Sequence, residues 1–239
     1  MWVIREPAPE LALTVKKLML ARLEERDPPT RLWLSDTVYC GRKKIYAMLG
    51  YGGEKITEQA LNRIWLGLMI HAELEKIGVA REVSVEYGGL RGRVDCLADT
   101  GEPIEIKAVS SAWVAGSKYA ETHVQQLSRY CLALGRETGI LFYYVPGIKI
   151  TSMPAYRYRF NLDAVKRETD ERIRLLRMAA EAGDPFMLPA TWHSSSLDNW
   201  ECRGCPYISL CRHGSLNTLE LLDAVRPVDL DDAEPGREQ

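Results

Sequence analysis

The sequence contains no apolar run approaching the roughly 20 residues that a membrane-crossing helix needs. It also lacks a basic-then-apolar leader: the chain opens Met-Trp-Val-Ile-Arg-Glu, which predicts a cytoplasmic protein with no membrane partner. An excess of charge of either sign is missing too. The 31 Lys and Arg nearly balance the 33 Asp and Glu, for a formal net charge of -2. A whole-surface basic footprint is thereby excluded, and any nucleic-acid contact has to come from a local groove. Asparagine and glutamine are scarce while arginine and glutamate are plentiful, a balance associated with thermophilic sources. No segment repeats. What is present is a 46% hydrophobic content over 239 residues, enough for the core of one large domain without disulfides. In a reducing compartment the 6 cysteines are available to metals.

Apolar residues at Leu11, Val15, Leu18, Met19 and Leu23 predict a helix over about 8–26, stopped by Pro28-Pro29. A second helix is predicted from Ser35 or Asp36 as N-cap, with Cys40 in its first turns. A third starts near Thr57 and lines up Leu61, Ile64, Trp65, Leu68 and His71 on one face. Three strands follow. Val83, Val85 and Tyr87 alternate in the first, Val94 and Cys96 in the second, and Ile104, Ile106 and Ala108 in the third. A helix over about 116–135, a buried strand at 140–145, a strand at 156–160 and a helix over about 162–182 complete a mixed α/β pattern. The predicted organisation is one domain over 1–222, with a core at about 55–182 and an acidic, loosely ordered tail at 223–239.

Alternation places Glu105 and Lys107 on one face of the third strand, and the turn at Gly101 returns that strand against the one carrying Asp95. Two carboxylates and an amine can therefore meet at one end of a sheet. Carboxylates so placed can hold Mg²⁺ or Mn²⁺, which activates water and bridges a scissile phosphate, while the amine stabilises developing negative charge. A Glu-x-Lys pair alone is ordinary on a solvated strand, and His71 alone would be an ordinary core histidine. On the helix after the strand, Gln126 and Tyr130 are four residues apart and share a face, with His123 one turn earlier.

Cys40 precedes this region, and Cys202, Cys205 and Cys211 follow it in Cys-x2-Cys-x5-Cys spacing. Four thiols in two chain segments, at about 35–50 and 200–213, predict a soft-metal site of zinc or iron that ties the ends of the chain together. Cys96 and Cys131, in a strand and a helix, read as buried small hydrophobes. Arg42, Lys43 and Lys44 follow Cys40, and Arg91 and Arg93 lead into Asp95, so basic groups are expected along the path of a nucleic acid, with single-stranded or frayed ends favoured.

In the order His71, Asp95, Glu105-x-Lys107, Gln126-x3-Tyr130, the chain resembles the RecB-like branch of the PD-(D/E)XK nucleases. The added cysteines resemble the iron–sulfur nucleases of the CRISPR-associated Cas-four family; with no P-loop and no room for a helicase, the helicase-linked relatives fit less well. The resemblance implies a mixed sheet flanked by helices. It implies His71, Asp95, Glu105 and the Ile106 carbonyl as metal ligands, Lys107 as the catalytic amine, and Gln126 with Tyr130 as positioning groups. It further implies an iron–sulfur cluster on Cys40, Cys202, Cys205 and Cys211, 4Fe–4S by family frequency although four thiolates equally serve 2Fe–2S. The implied activity is 5′→3′ exonuclease trimming of single-stranded spacer precursors beside the CRISPR integrase subunits. Two other readings stay open: a DNA-end-binding scaffold subunit with little cleavage, and a zinc-stapled nuclease of DNA repair.

Overall fold

The computed structural model describes residues 9–24, 31–52, 57–194 and 196–213. The predicted proline stop at 28–29 and the predicted acidic tail lie outside these residues. The chain divides into two compact units, Met1–Pro29 with Ile56–Val165 and Thr30–Lys55 with Lys166–Gln239, each built from two separated segments. Among the described residues no helix is long and apolar enough to cross a membrane.

The first unit is organised by one mixed sheet of five strands in the order β1-β2-β3-β4-β5. β1 (Ala80–Tyr87), β2 (Leu90–Leu97) and β3 (Pro103–Ala108) run antiparallel in succession. β4 (Thr138–Tyr144) lies parallel to β3, and β5 (Ala155–Arg159) antiparallel to β4. A parallel neighbour requires a crossover. Here the crossover is helix α4 (Lys118–Leu134), reached through a short 3-10 helix at Ala112–Gly116.

Alternation along β4 feeds both faces of the sheet. Leu141 and Tyr143 join Leu127 and Cys131 of α4 in one apolar cluster, while Ile140 and Phe142 join Cys96, Ile104, Ile106 and Leu74 in another. Leu74 ends helix α3 (Glu58–Leu74), so β3 is packed by α3 and by α4. Leu127, Leu141 and Ile106 are fully buried, and each contributes about 1.5–3 kcal/mol. Cys96 and Cys131 are 0% exposed, as expected of small core residues. Helix α1 (Pro9–Glu24) follows its predicted spacing with only part of the predicted burial. Met19 is buried while Val15 and Leu18 stay about half or more exposed, because the contact with α3 covers a narrow stripe.

In the second unit, α2 (Gly41–Met48) packs Ile45 against Leu176 and Ala179 of α5 (Leu162–Ala182) and against Leu188. Gly41 permits that approach, since a Cβ there would stand 2.9 Å from the Leu188 side chain and 3.0 Å from Leu176. Ser35 and Asp36 do not cap α2 as predicted: they lie in a 3-10 helix at Leu34–Thr37, and Cys40 is the N-cap of α2. The Asp36 carboxylate accepts the Trp33 amide at 2.7 Å and is thus spent on the preceding turn. Arg172 binds this segment from α5, donating to the Thr37 carbonyl at 2.7 Å and lying over the Trp192 ring. Two short helices follow, α6 (Trp200–Arg203) carrying Cys202 and α7 (Ile208–His213) carrying Cys211, with Cys205 in the segment between them.

Candidate functional site

β3 sends Ile104 and Ile106 into the core and turns Glu105 and Lys107 to the face covered by α4. The Lys107 ammonium donates to Glu105 Oε1 at 2.6 Å and to Gln126 Oε1 at 2.9 Å, and Gln126 Nε2 donates to the Tyr130 hydroxyl at 2.9 Å. Glu105 is 1% exposed, and its Oε2 is buried with no hydrogen-bond partner among the described residues. Burial raises the Glu105 carboxyl above the usual range against the pull of Lys107. Burial likewise raises the Tyr130 phenol, with the Glu105 charge adding to it, so Tyr130 is a neutral hydroxyl.

The strands part at this point. β2 and β3 pair only at Cys96 with Ile104 and at Leu97 with Pro103, and beyond them the Asp95 carboxylate takes the place of a backbone partner, accepting the Ile106 amide at 2.7 Å. The other Asp95 oxygen lies 3.4 Å from His71 Nδ1, which is 3.8 Å from Glu75 Oε1 one helical turn on. His71, Glu75 and Asp95 thus bring three ligand atoms within 4.8 Å of one another. Burial disfavours the charged His71 ring, but its hydrogen bond to Asp95 and the charges of Asp95 and Glu105 together outweigh burial and raise its pKa. Glu75 is raised by burial and then by the Asp95 charge. Crowded carboxylates, an imidazole and an orphaned buried carboxylate oxygen are a donor set that a hard divalent cation satisfies, so the residues present fit Mg²⁺ or Mn²⁺. Beside them His123 Nδ1 is 3.2 Å from the Tyr143 hydroxyl, and its pKa is pushed down to about 3 by burial and then by Lys107.

The second unit gathers Cys40, Cys202, Cys205 and Cys211. The Cys40 thiol donates to the Ala190 carbonyl at 3.1 Å and is pushed up to about 12 by burial, with Cys205, Glu201 and Cys211 adding to the rise. Burial also raises Cys202 and Cys205, and the charge of Cys211 adds in each. Asn199 donates to the Cys202 sulfur at 3.3 Å, and Cys211 lies 3.9 Å from the Tyr46 hydroxyl. Burial is the main cause of these shifts, and Cys40, Cys202 and Cys205 each also feel the charge of Cys211. Cys96 and Cys131 feel other groups, Asp95 and Glu75 in one case and Glu102 in the other. Of the basic residues, Arg42 donates to the Leu188 carbonyl at 2.8 Å and lies over Phe186, and the charge of Lys43 opposes the burial that raises Cys205 and Glu201. Arg91 and Arg93 are exposed, with Arg93 3.6 Å from Glu82.

The family model described as PD-(D/E)XK nuclease superfamily matches residues 15–212. The chain belongs to that superfamily. Its fold agrees with the crystal structure of SSO0001, at a TM-score of 0.53 and 22% identity over 84% of this chain and 95% of that one. An alkaline exonuclease from Laribacter hongkongensis, LHK-Exo, is a more distant neighbour, at a TM-score of 0.47 and 14% identity over 65% of this chain and 92% of that one. A phage related exonuclease from Haemophilus somnus 129PT stands at 0.42 and 11% identity, over 62% and 80%. No curated protein matches the chain. The PD-(D/E)XK fold here is a five-stranded mixed sheet flanked by helices.

Within this PD-(D/E)XK unit the sequence pattern missed Glu75. The signal was available: Glu75 is four residues after His71, on the same helical face, and its carboxylate joins the site. His123 and Tyr143 were also unmarked as a pair, since nothing in the spacing of residues 123 and 143 announces that α4 lies over β4.

Proposed function

We propose that the chain is a Mg²⁺- or Mn²⁺-dependent deoxyribonuclease that trims single-stranded or frayed DNA ends as a 5′→3′ exonuclease. Its place is the preparation of spacer precursors for CRISPR integrase subunits, and an iron–sulfur cluster on Cys40, Cys202, Cys205 and Cys211 braces its second unit. The observation that carries the nuclease reading is the meeting of His71, Glu75 and Asp95 next to the Lys107–Glu105–Gln126–Tyr130 chain of hydrogen bonds. His71, Asp95, Glu105 and the Ile106 carbonyl, joined by Glu75, would hold the divalent ion. When bound, the ion supplies positive charge against the scissile phosphate and a nucleophile at neutral pH. Asp95 is aimed by the Ile106 amide. Lys107, fixed by Glu105 and Gln126, keeps an ammonium where negative charge grows in the transition state. Tyr130 holds the Gln126 amide in its rotamer. Arg91 and Arg93 are placed to meet phosphates, and Arg42 and Lys43 to support the thiol site and nearby DNA.

Iron is preferred to zinc on spacing. The uneven spacing of the four cysteines lacks the paired Cys-x2-Cys knuckles of common zinc modules, and the family resemblance points to iron. The intact Asp95, Glu105 and Lys107 set speaks against a scaffold subunit that binds ends without cutting them. The test is anaerobic purification followed by absorption, iron content and cleavage of end-labelled single-stranded DNA in Mg²⁺ and Mn²⁺. Brown protein with a band at about 400 nm and mononucleotides released from the 5′ end are expected. Colourless zinc protein would overturn the cluster, and absence of cleavage in both metals would overturn the enzyme.

A further inference from the structure

A histidine stands beside Lys107 with one ring nitrogen engaged and the other open. Lys107 of β3 pairs with Tyr143 of β4 in parallel register, so their side chains share the sheet face that α4 covers. Adjacent strands run about 4.8 Å apart. α4 lays one residue over each member of that pair. Gln126 accepts from the Lys107 ammonium at 2.9 Å, and His123, one helical turn earlier, brings Nδ1 to 3.2 Å from the Tyr143 hydroxyl with the ring centroids 5.7 Å apart. Burial and then the Lys107 charge keep the His123 ring neutral, so the ring lies within reach of that ammonium. A neutral imidazole has one donor and one acceptor nitrogen. Of the two partners the phenol is the stronger acid and the imidazole the stronger base, which assigns the Tyr143 hydroxyl as donor and Nδ1 as acceptor. The ring proton then sits on Nε2. Among the described residues Nε2 takes no hydrogen bond, and it is not one of the buried atoms left without a partner, so it opens to solvent. An uncharged N–H donor is thus set one turn from the glutamine that aims the catalytic lysine.

We propose that His123 is a substrate-binding residue whose Nε2–H donates to a non-bridging phosphate oxygen of the DNA strand within one nucleotide of the scissile bond, an inference that rests on the nuclease reading above. The chemistry of the place selects that ligand. Lys107 draws an anion to this part of the sheet, and a phosphodiester backbone brings acceptor oxygens and no donors. A second cation here would repel Lys107, whereas a neutral N–H adds a directional hydrogen bond to an anionic oxygen without that repulsion. Because the contact is to the backbone and not to a base edge, it sets the position of the strand at the site and reads no sequence.

The experiment measures binding of a labelled single-stranded oligonucleotide in Ca²⁺ to wild type, His123→Phe and His123→Gln, repeated with oligonucleotides carrying one methylphosphonate moved along the backbone. Phenylalanine keeps a ring against Tyr143 and removes both nitrogens, while glutamine returns a neutral N–H at similar reach. His123→Ala, measured alongside, gives the same comparison where the phenylalanine variant does not fold. A hydrogen bond to a charged oxygen is worth a factor of about 10 to 150, so His123→Phe should weaken binding by that factor and His123→Gln should recover most of it. At one position next to the cut the methylphosphonate should cost the wild type a similar factor and cost His123→Phe little more. Wild-type affinity in His123→Phe, or methylphosphonate losses equal in the two proteins at every position, would overturn the phosphate contact. If wild type binds and cuts DNA while His123→Phe matches it, the contact alone falls; if wild type neither binds nor cuts, the nuclease reading falls and takes the contact with it.

Discussion

The two units solve opposite versions of one problem. Each crowds groups that repel when ionised, carboxylates in the first and thiolates in the second. In the first unit the site is written into a sheet and two helices: Asp95 is held by a backbone amide, Glu105 by Lys107, and Lys107 by Gln126, all from residues 71–130. Those bonds join groups of one unit to one another, so the fold itself sets the positions of the ligands. In the second unit the cysteines sit at the N-cap of an eight-residue helix and on or beside helices of four and six residues, and Cys40 is more than 160 positions from Cys202. Little regular structure holds them, so the proposed shared metal would supply what the backbone does not. The difference teaches that one site uses the fold and the other helps to make it.

The sharpest way to break this contrast is to remove one thiol. Serine at Cys40, Cys202, Cys205 or Cys211 should lose the iron and lower stability by up to about 4–5 kcal/mol, the loop-closure value of a comparable cross-link, whereas Cys96→Ser and Cys131→Ser should keep it. Iron content and thermal melting of the six variants decide the matter, and full iron in Cys40→Ser would sink the assignment.

In the first unit the reverse is expected. Asp95→Asn, Glu105→Gln or Lys107→Ala should cut cleavage by about 1,000-fold or more, roughly 4 kcal/mol of transition-state stabilisation, with melting and iron content unchanged. EDTA should stop cleavage and leave the cluster absorption in place, because oxygen-held Mg²⁺ exchanges while thiolate-held iron does not. Any of these variants cutting single-stranded DNA near the wild-type rate would remove that residue from the site.

A milder change should follow at the edge of the same site. His71→Ala and Glu75→Gln should raise the divalent-ion concentration needed for half activity by about 10- to 100-fold, and His71→Ala should shift preference toward Mn²⁺. Titrations in both metals test it, and an equal loss in each would give His71 a structural role.

The smallest effect concerns pH. The folded His123 value, about 3, lies below the ordinary 6.5, so the folded chain binds fewer protons between them. The stability this confers is fully present above pH 6.5 and drains as pH falls toward 3, by at most about 1.4 kcal/mol per pH unit. His123→Phe should flatten that acid slope in denaturant melts recorded from pH 7 to pH 4, and an unchanged slope would contradict the buried neutral ring.

Much of the first unit was legible because its rules are local. Period-two alternation put Glu105 and Lys107 on one face, and the four-residue spacing of Gln126 and Tyr130 put them on one helix side, where they hydrogen-bond. The parting of β2 from β3 was not legible, because it depends on the Asp95 side chain replacing a ladder partner and not on any periodicity. Nor were the 3-10 turns at Leu34–Thr37 and Ala112–Gly116, too short for a period to register. The division of the chain into interleaved units is a property of contacts between distant segments, which composition along the chain does not reveal.

The turn that joins β2 to β3 works as a gauge block. Its Gly101, at φ +77°, and the bond from the Gly101 amide to the Ala98 carbonyl at 2.9 Å fix how many residues separate Asp95 from Glu105. A strand shifted by a single residue exchanges its faces. One residue inserted there would present Ile104 and Ile106 to α4 and bury two charged side chains in the opposite core. The chemistry of this chain is therefore calibrated by the length of a loop that carries no reacting group.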